Sequence, residues 1–178
     1  MTKRIALLRG INVGGRNKVP MAALRELCAG LGWGEVATFI QSGNVVFEAK
    51  GADEALEAAL EEALAKRFEV RTAVIVRSAA QWAQVIAANP FPRESEREPN
   101  RVLVGLSKHS LAKGAADALA AKAAAGEPVE QAGGALWFHY PNGAGQSKLT
   151  PATIDRAAGS PVTARNWRTM TALADMAG

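Results

Sequence analysis

The residues best equipped for chemistry come early in the chain. Gly10-Ile11-Asn12-Val13-Gly14-Gly15-Arg16-Asn17-Lys18 follows a short apolar run and precedes an amphipathic segment. Successive main-chain N–H groups in such a loop can form an anion nest, and Arg9, Arg16 and Lys18 add positive charge. Asn12 and Asn17 could orient a ligand there. Gly10 and Gly15 have the separation of a phosphate-binding loop. However, Arg16 stands where that motif has its phosphate-reaching lysine, and Asn17 where it has the magnesium-binding hydroxyl. Nucleoside-triphosphate chemistry of that kind is not expected. The structural alternative is that Gly14 and Gly15 only supply positive φ at a tight crossing.

Two further stretches carry polar groups on glycine-containing loops. Gln41-Ser42-Gly43-Asn44 could supply ligand contacts, or be no more than a hairpin tip. Ser147 and Lys148 close the loop that begins at Pro141. Thr163-Ala164-Arg165-Asn166-Trp167 reads as the opening of a last helix, with Asn166 as cap and Trp167 as core anchor. Arg165 beside a helix N-terminus is unfavourable by about a few tenths of a kcal/mol, which an anion bound there would relieve. Two histidines and one cysteine make a zinc site improbable, and no nucleophile elbow, His-Glu-x-x-His or paired-cysteine motif occurs. No metal and no cofactor are expected. Cys28, at an apolar helical position, is a buried core thiol by expectation.

The elements that must position these loops follow from periodicity. Ile5–Arg9 reads as a strand. Pro20 suits the first turn of a helix whose face is Leu24, Leu27, Cys28 and Leu31, stopped by Gly32. Val36–Gln41 and Val45–Glu48 form a hairpin turning at Ser42-Gly43-Asn44. Asp53 can cap a helix with Leu56, Leu60, Leu64 and Phe68 inside and Glu57, Glu61 and Glu62 on its wet side. Thr72–Val76 is a fourth strand. Strand, helix, strand, strand, helix, strand is the ferredoxin-like βαββαβ order. Ser78 and Gln81 then make a capping box for a linking helix. Residues 93–100, charged and aperiodic, read as an exposed linker between a subdomain over 1–92 and a second over 101–178. The second begins the pattern again: a strand over 101–106, a helix capped by Ser110, a hairpin at Gly133-Gly134, and helices opening at Thr150-Pro151 and near Asn166. No closing strand is visible, so the fold class is α+β with a second, incomplete related half.

Composition bounds the function. Hydrophobic residues make up 48% and charged residues 21% of 178, enough for a real core. The single cysteine and the lack of a targeting or membrane-spanning segment suggest a cytoplasmic protein with no membrane partner. The formal charge is +4, and it is uneven. Lys3, Arg4, Arg9, Arg16, Lys18 and Arg25 fall in the first 25 residues with no acid among them. Anionic partners are therefore favoured. RNA-recognition modules share the βαββαβ order but stack bases on aromatics of the first and third strands. Here the first strand has none and the third only Phe47.

The residues also resemble a known family. Ile5-Ala6-Leu7-Leu8-Arg9-Gly10-Ile11-Asn12-Val13-Gly14-Gly15, then Val19-Pro20-Met21 and Ile40-Gln41-Ser42-Gly43-Asn44-Val45, are similar to the domain-of-unknown-function family 1697. Ser147-Lys148-Leu149 and Thr163-Ala164-Arg165-Asn166-Trp167 resemble it too. Arg16 stands where many members are expected to have lysine. The resemblance implies a bacterial-type cytosolic protein of two α+β subdomains, and it brings no established activity, substrate or cofactor.

The leading expectation is binding, with turnover left open, of a small anionic ligand such as a nucleotide or phosphorylated metabolite. Arg9, Asn12, Gly14, Gly15 and Lys18 would form the anion pocket, Gln41, Ser42 and Asn44 would add polar contacts, and Ser147, Lys148 and Arg165 are further candidates. Two alternatives stay open: nucleic-acid binding through the basic end and the linker, and a protein-interaction module whose sheet pairs with a partner. Oligomeric state is not legible in these residues.

Overall fold

Runs of β-branched and aliphatic residues alternate with leucine-rich segments of helical period, and the chain folds accordingly. The computed structural model describes residues 1–178. The first elements are β1 (Thr2–Leu8), α1 (Met21–Gly30), β2 (Gly34–Thr38), β3 (Asn44–Ala49), α2 (Asp53–Phe68) and β4 (Val74–Ser78). Their strands form one antiparallel sheet in the order β2-β3-β1-β4. Side chains alternate across a strand, so Ala6, Leu8, Val45, Phe47, Val74 and Val76 share one face. On it lie Leu24 and Cys28 of α1 and Leu56, Leu60 and Leu64 of α2. Each wholly buried leucine contributes about 2 kcal/mol. The residues between them, Ile5, Leu7, Val46 and Ile75, are buried as well.

Several expectations hold here and others shift. Gly32 ends α1 at φ +81°, but Pro20 is the cap residue rather than part of the helix, and Ala52, not Asp53, caps α2. Asp53 instead pairs with Arg4. Glu62 does lie on the wet side of α2, ion-paired with Lys66 at 2.5 Å. Glu57 and Glu61 do not. Their carboxylates accept from the main-chain N–H of Val76 and Val74, at 2.9 and 2.8 Å. Those amides lie on the outer edge of β4, the last strand of the sheet, where no further strand can satisfy them.

The chain continues through α3 (Ala79–Ala87) and α4 (Pro92–Arg97). Ser78 and Gln81 make the expected reciprocal cap, at 2.7 and 3.2 Å. The stretch expected to be an exposed linker thus holds a helix. Its Ser95 is buried and accepts from Asn89 Nδ2 at 2.8 Å. Beyond it, Glu98 meets His139 at 3.2 Å and Arg101 at 3.1 Å. Aperiodic charge concealed this helix because one turn and a half is too short to show a period.

The second half consists of β5 (Val102–Ser107), α5 (Ala115–Lys122), β6 (Val129–Ala132), β7 (Ala135–His139), α6 (Pro151–Ala158) and β8 (Val162–Asn166), followed by α7 (Trp167–Ala177). Its sheet order is β6-β7-β5-β8, again antiparallel throughout. The second half is therefore complete, and the expectation of a missing last strand is corrected. Val162 and Thr163 pair with Ser107 and Leu106. The strand has no boundary signal of its own, because it runs into α7 without a loop, Asn166 being both its last residue and the helix cap. Gly114, not Ser110, caps α5. Gly133 and Gly134, at φ +58° and +75°, make the expected two-residue hairpin turn. The core of this half gathers Ala116, Leu119, Leu136, Phe138, Tyr140, Leu149 and Val162.

The compact units comprise Met1–Trp82 with Leu173–Gly178, and Ala83–Ala172. No helix is long and apolar enough to cross a membrane.

Candidate functional site

In the first unit the glycine loop is itself a small hairpin. Asn12 N donates to Asn17 O at 3.0 Å and Arg16 N to Val13 O at 2.9 Å, with Val13 and Arg16 bridged across Gly14-Gly15. Both glycines have positive φ, +56° and +75°, as a two-residue turn of this kind requires. Asn12 fastens the hairpin at its base. Its Nδ2 donates to Val19 O at 2.9 Å and to Gln41 O at 2.8 Å, while its Oδ1 accepts from Val19 N at 2.8 Å. Asn17 Nδ2 donates to Gly10 O at 3.0 Å. Both asparagines, expected to orient a ligand, therefore hold the loop to itself and to its neighbour.

That neighbour is the hairpin tip. β1 and β3 are antiparallel with Leu7 opposite Asn44, so the end of β1 and the start of β3 lie together. Leu8 N donates to Gly43 O at 2.8 Å. A Cβ on Gly43 would stand 2.7 Å from Ile11 Cδ1 and 2.9 Å from Leu8 Cβ, and φ is +87°. Only glycine fits that position without a shift. Asn44 is not at the turn but the first residue of β3, wholly buried, its amide donating to Phe39 O at 2.8 Å and Ser42 Oγ at 3.0 Å. Ile40 adopts φ +50° and is 51% exposed. A β-branched residue in that conformation is strained.

What remains on this surface is cationic and apolar. Arg16, Lys18, Gln41 and the two glycines are exposed, and Val13 is 63% exposed at the tip. Arg9 is half-buried, its main chain held by Ala73 O and by the Thr72 hydroxyl. Phe47 stacks on Trp33 at a centroid distance of 3.9 Å, on the helix-facing side of the sheet. The opposite side therefore presents no aromatic from β1 or β3.

In the second unit the candidates separate. Arg165 lies within β8 rather than opening a helix. It is 9% exposed, and its Nη1 donates to Thr163 Oγ1 at 2.8 Å and Ala164 O at 2.9 Å. Burial lowers its pKa to about 10, which leaves it charged at neutral pH. Asn166 caps α7, its Oδ1 accepting from Thr169 N at 2.9 Å. Trp167 is half-buried beside Trp137, with centroids 5.8 Å apart. Lys148 is exposed. Ser147 accepts from Leu149 N at 3.1 Å and bonds the Glu127 carboxylate. Glu127 and its neighbour Tyr140 carried no sequence signal, because each is an isolated polar residue beside a proline.

Cys28 is wholly buried, and burial pushes its thiol up to about 12, so it is a core residue as expected. No group of three or more His, Cys, Asp or Glu side chains could hold a metal ion.

Two βαββαβ units with a bolted glycine hairpin define a class of α+β protein, and its family is identifiable. Residues 1–137 match the family model DUF1697, described as a protein of unknown function. The chain belongs to that family. The matched span stops short of the Ser147-Lys148-Leu149 and Thr163–Trp167 motifs. Among solved structures, the chain is similar to the conserved bacterial protein SP0830 from Streptococcus pneumoniae, at 24% identity, with 99% of each chain covered and a TM-score of 0.78. At that identity the likeness shows the fold. No curated protein matches.

Proposed function

We propose that the loop end of the first unit binds a small anionic ligand of the nucleotide or phosphorylated-metabolite class. The observation that carries this is the pairing of a rigid loop with exposed cations. Asn12 fixes the hairpin through three hydrogen bonds, and Arg16 and Lys18 stand exposed on it, in a 25-residue stretch without an acid. A loop whose main chain is already fixed loses less conformational freedom when a ligand binds. Gln41 and the exposed main chain of Gly14 and Gly15 add polar contacts, whereas Asn12, Asn17 and Asn44 serve the fold. The strained Ile40 next to Gln41 belongs to the same surface, and backbone strain of this sort concentrates at functional sites.

A second reading, nucleic-acid binding, is favoured by Val13. An apolar residue projecting from a hairpin tip between cations suits an extended polyanion as well as a compact one. Thermal denaturation with nucleotides, sugar phosphates, sulfate and short oligonucleotides at two salt concentrations separates the two. A ligand at a hundred times its dissociation constant stabilises by about 2.7 kcal/mol. Stabilisation by one small anion, lost in Arg16→Ala and Lys18→Ala, supports the first reading. A response to oligonucleotides alone, fading steeply with salt, supports the second. Silence from both sets removes both.

A further inference from the structure

A second feature lies in the other unit and has the opposite electrostatic sign. Tyr140 follows β7 directly. Its N–H donates to Arg101 O at 2.9 Å, and its ring stacks on Phe138 at 5.7 Å with the planes 5° apart. The side chain is 3% exposed and its hydroxyl group makes no hydrogen bond to the protein. It lines a cavity of about 40 Å³, shared with Glu127, Asn142, Gly143, Gln146 and Ser147. Glu127 is 6% exposed, and the exposed Asn142 and Gln146 line the same cavity at its solvent side.

The donors around that carboxylate are all neutral. Its own main-chain N–H, the Ser147 hydroxyl and Ala125 N at 3.2 Å hold the carboxyl below its ordinary value. No lysine, arginine or histidine pairs with it. At neutral pH the site therefore holds a full negative charge and a phenol oxygen with free lone pairs. Burial and the Glu127 charge push the phenol's pKa upward, so the hydroxyl stays neutral.

We propose that this cavity binds a small cation of the ammonium class, ammonium itself or the protonated primary amine of a larger molecule, held between the Glu127 carboxylate and the Tyr140 hydroxyl. The volume admits one group of about the size of a water molecule. A divalent metal is a poor occupant, because one carboxylate falls short of the six to eight oxygen ligands that a calcium ion takes. An ammonium group needs only two or three acceptors, and a carboxylate and a phenol line this cavity. The Glu127 charge turns anions away. The site is independent of the anion site proposed for the first unit, and either can fail alone.

Tyr140 is the single tyrosine of the chain, so protein carrying Cζ-13C tyrosine gives one resonance that reports on the cavity. The experiment titrates full-length protein with ammonium and methylammonium chloride, against sodium and tetramethylammonium chloride at equal ionic strength. The expected result is a saturable shift with the first two salts alone. In Glu127→Gln the apparent dissociation constant should rise at least tenfold. Where that variant fails to fold, Tyr140→Phe is followed by thermal denaturation, and its stabilisation by methylammonium should be weakened relative to the parent. A shift equal for all four salts, or unchanged in Glu127→Gln, or no shift, overturns the proposal and assigns the cavity to water.

Discussion

In the first unit the long connection joins β1 to α1, over Arg9–Pro20, while β3 reaches α2 through Lys50–Ala52 alone. In the second, β5 reaches α5 through Lys108–Gly114, and the long connection instead joins β7 to α6, over Tyr140–Thr150. Strands one and three of each repeat are antiparallel, so the two elaborations grow from opposite ends of the same topology. One carries exposed cations, the other a carboxylate and a phenol. The frame beneath them is held in common. In each βαββαβ repeat the helix before the last strand places a carboxylate on an N–H of that strand: Glu57 and Glu61 of α2 on β4, Asp155 of α6 on Val162 N of β8 at 2.9 Å. In each, the last strand runs straight into a helix whose cap is the strand's final residue, Ser78 or Asn166. The shared features answer backbone needs that any such sheet has, whereas the loops answer none and are free to differ.

The sharpest way to break this comparison is through the hairpin glycines. Gly43→Ala adds a methyl group into Ile11 and Leu8 at a positive φ. Overpacking and backbone strain together should destabilise by roughly 3 kcal/mol in urea titration. Gly133→Ala, whose Cβ would meet Ala88 at 2.7 Å, should cost about the same. Gly14→Ala meets nothing within 4 Å and should lose only the roughly 1 kcal/mol of the left-handed backbone. If all three cost alike, packing is not what selects Gly43 and Gly133.

Asn12→Ala removes three hydrogen bonds at about 1 kcal/mol each. It should destabilise by roughly 2–3 kcal/mol, with faster amide exchange confined to the loop and tip of the first unit. Exchange that rises equally across β5–β8 would contradict the local role. The edge carboxylates come next. Glu57→Ala strips the partner from a buried N–H and should cost about 1–3 kcal/mol, and Asp155→Ala about 1 kcal/mol for a half-buried one. A neutral result for both would mean that the shared edge pattern is geometric coincidence.

The smallest effects are chemical. With its thiol near 12, native Cys28 should resist a disulfide reagent at pH 8 and react on unfolding. For Glu127, the folded pKa lies below the unfolded one. Its contribution to stability should therefore be full above about pH 4.5 and vanish as pH falls through the folded value. Ser147→Ala should narrow that window, read as a smaller loss of stability on acidification.

Local chemistry made much of this molecule legible in advance. The helix faces with Leu24 and Cys28, and with Leu56, Leu60 and Leu64, the Gly133-Gly134 turn, the Ser78–Gln81 cap and the first βαββαβ run all follow from residue spacing, because period and turn chemistry are properties of a few neighbours. The amino-acid sequence also marked the first 25 residues as basic and Cys28 as inert. Other features depend on residues distant in the chain, and only the tertiary structure decided them. By spacing Glu57 and Glu61 belong to a solvated face, but β4 lies beside α2 and its outer amides take both carboxylates as partners. Asn12 looked like a ligand group until Val19 and Gln41 took its hydrogen bonds. Arg165 looked like a helix opener until pairing with β5 drew Val162–Asn166 into the sheet. A polar side chain's role is settled by which partners reach it first, and for these residues the partners come from pairing and packing that no local window contains.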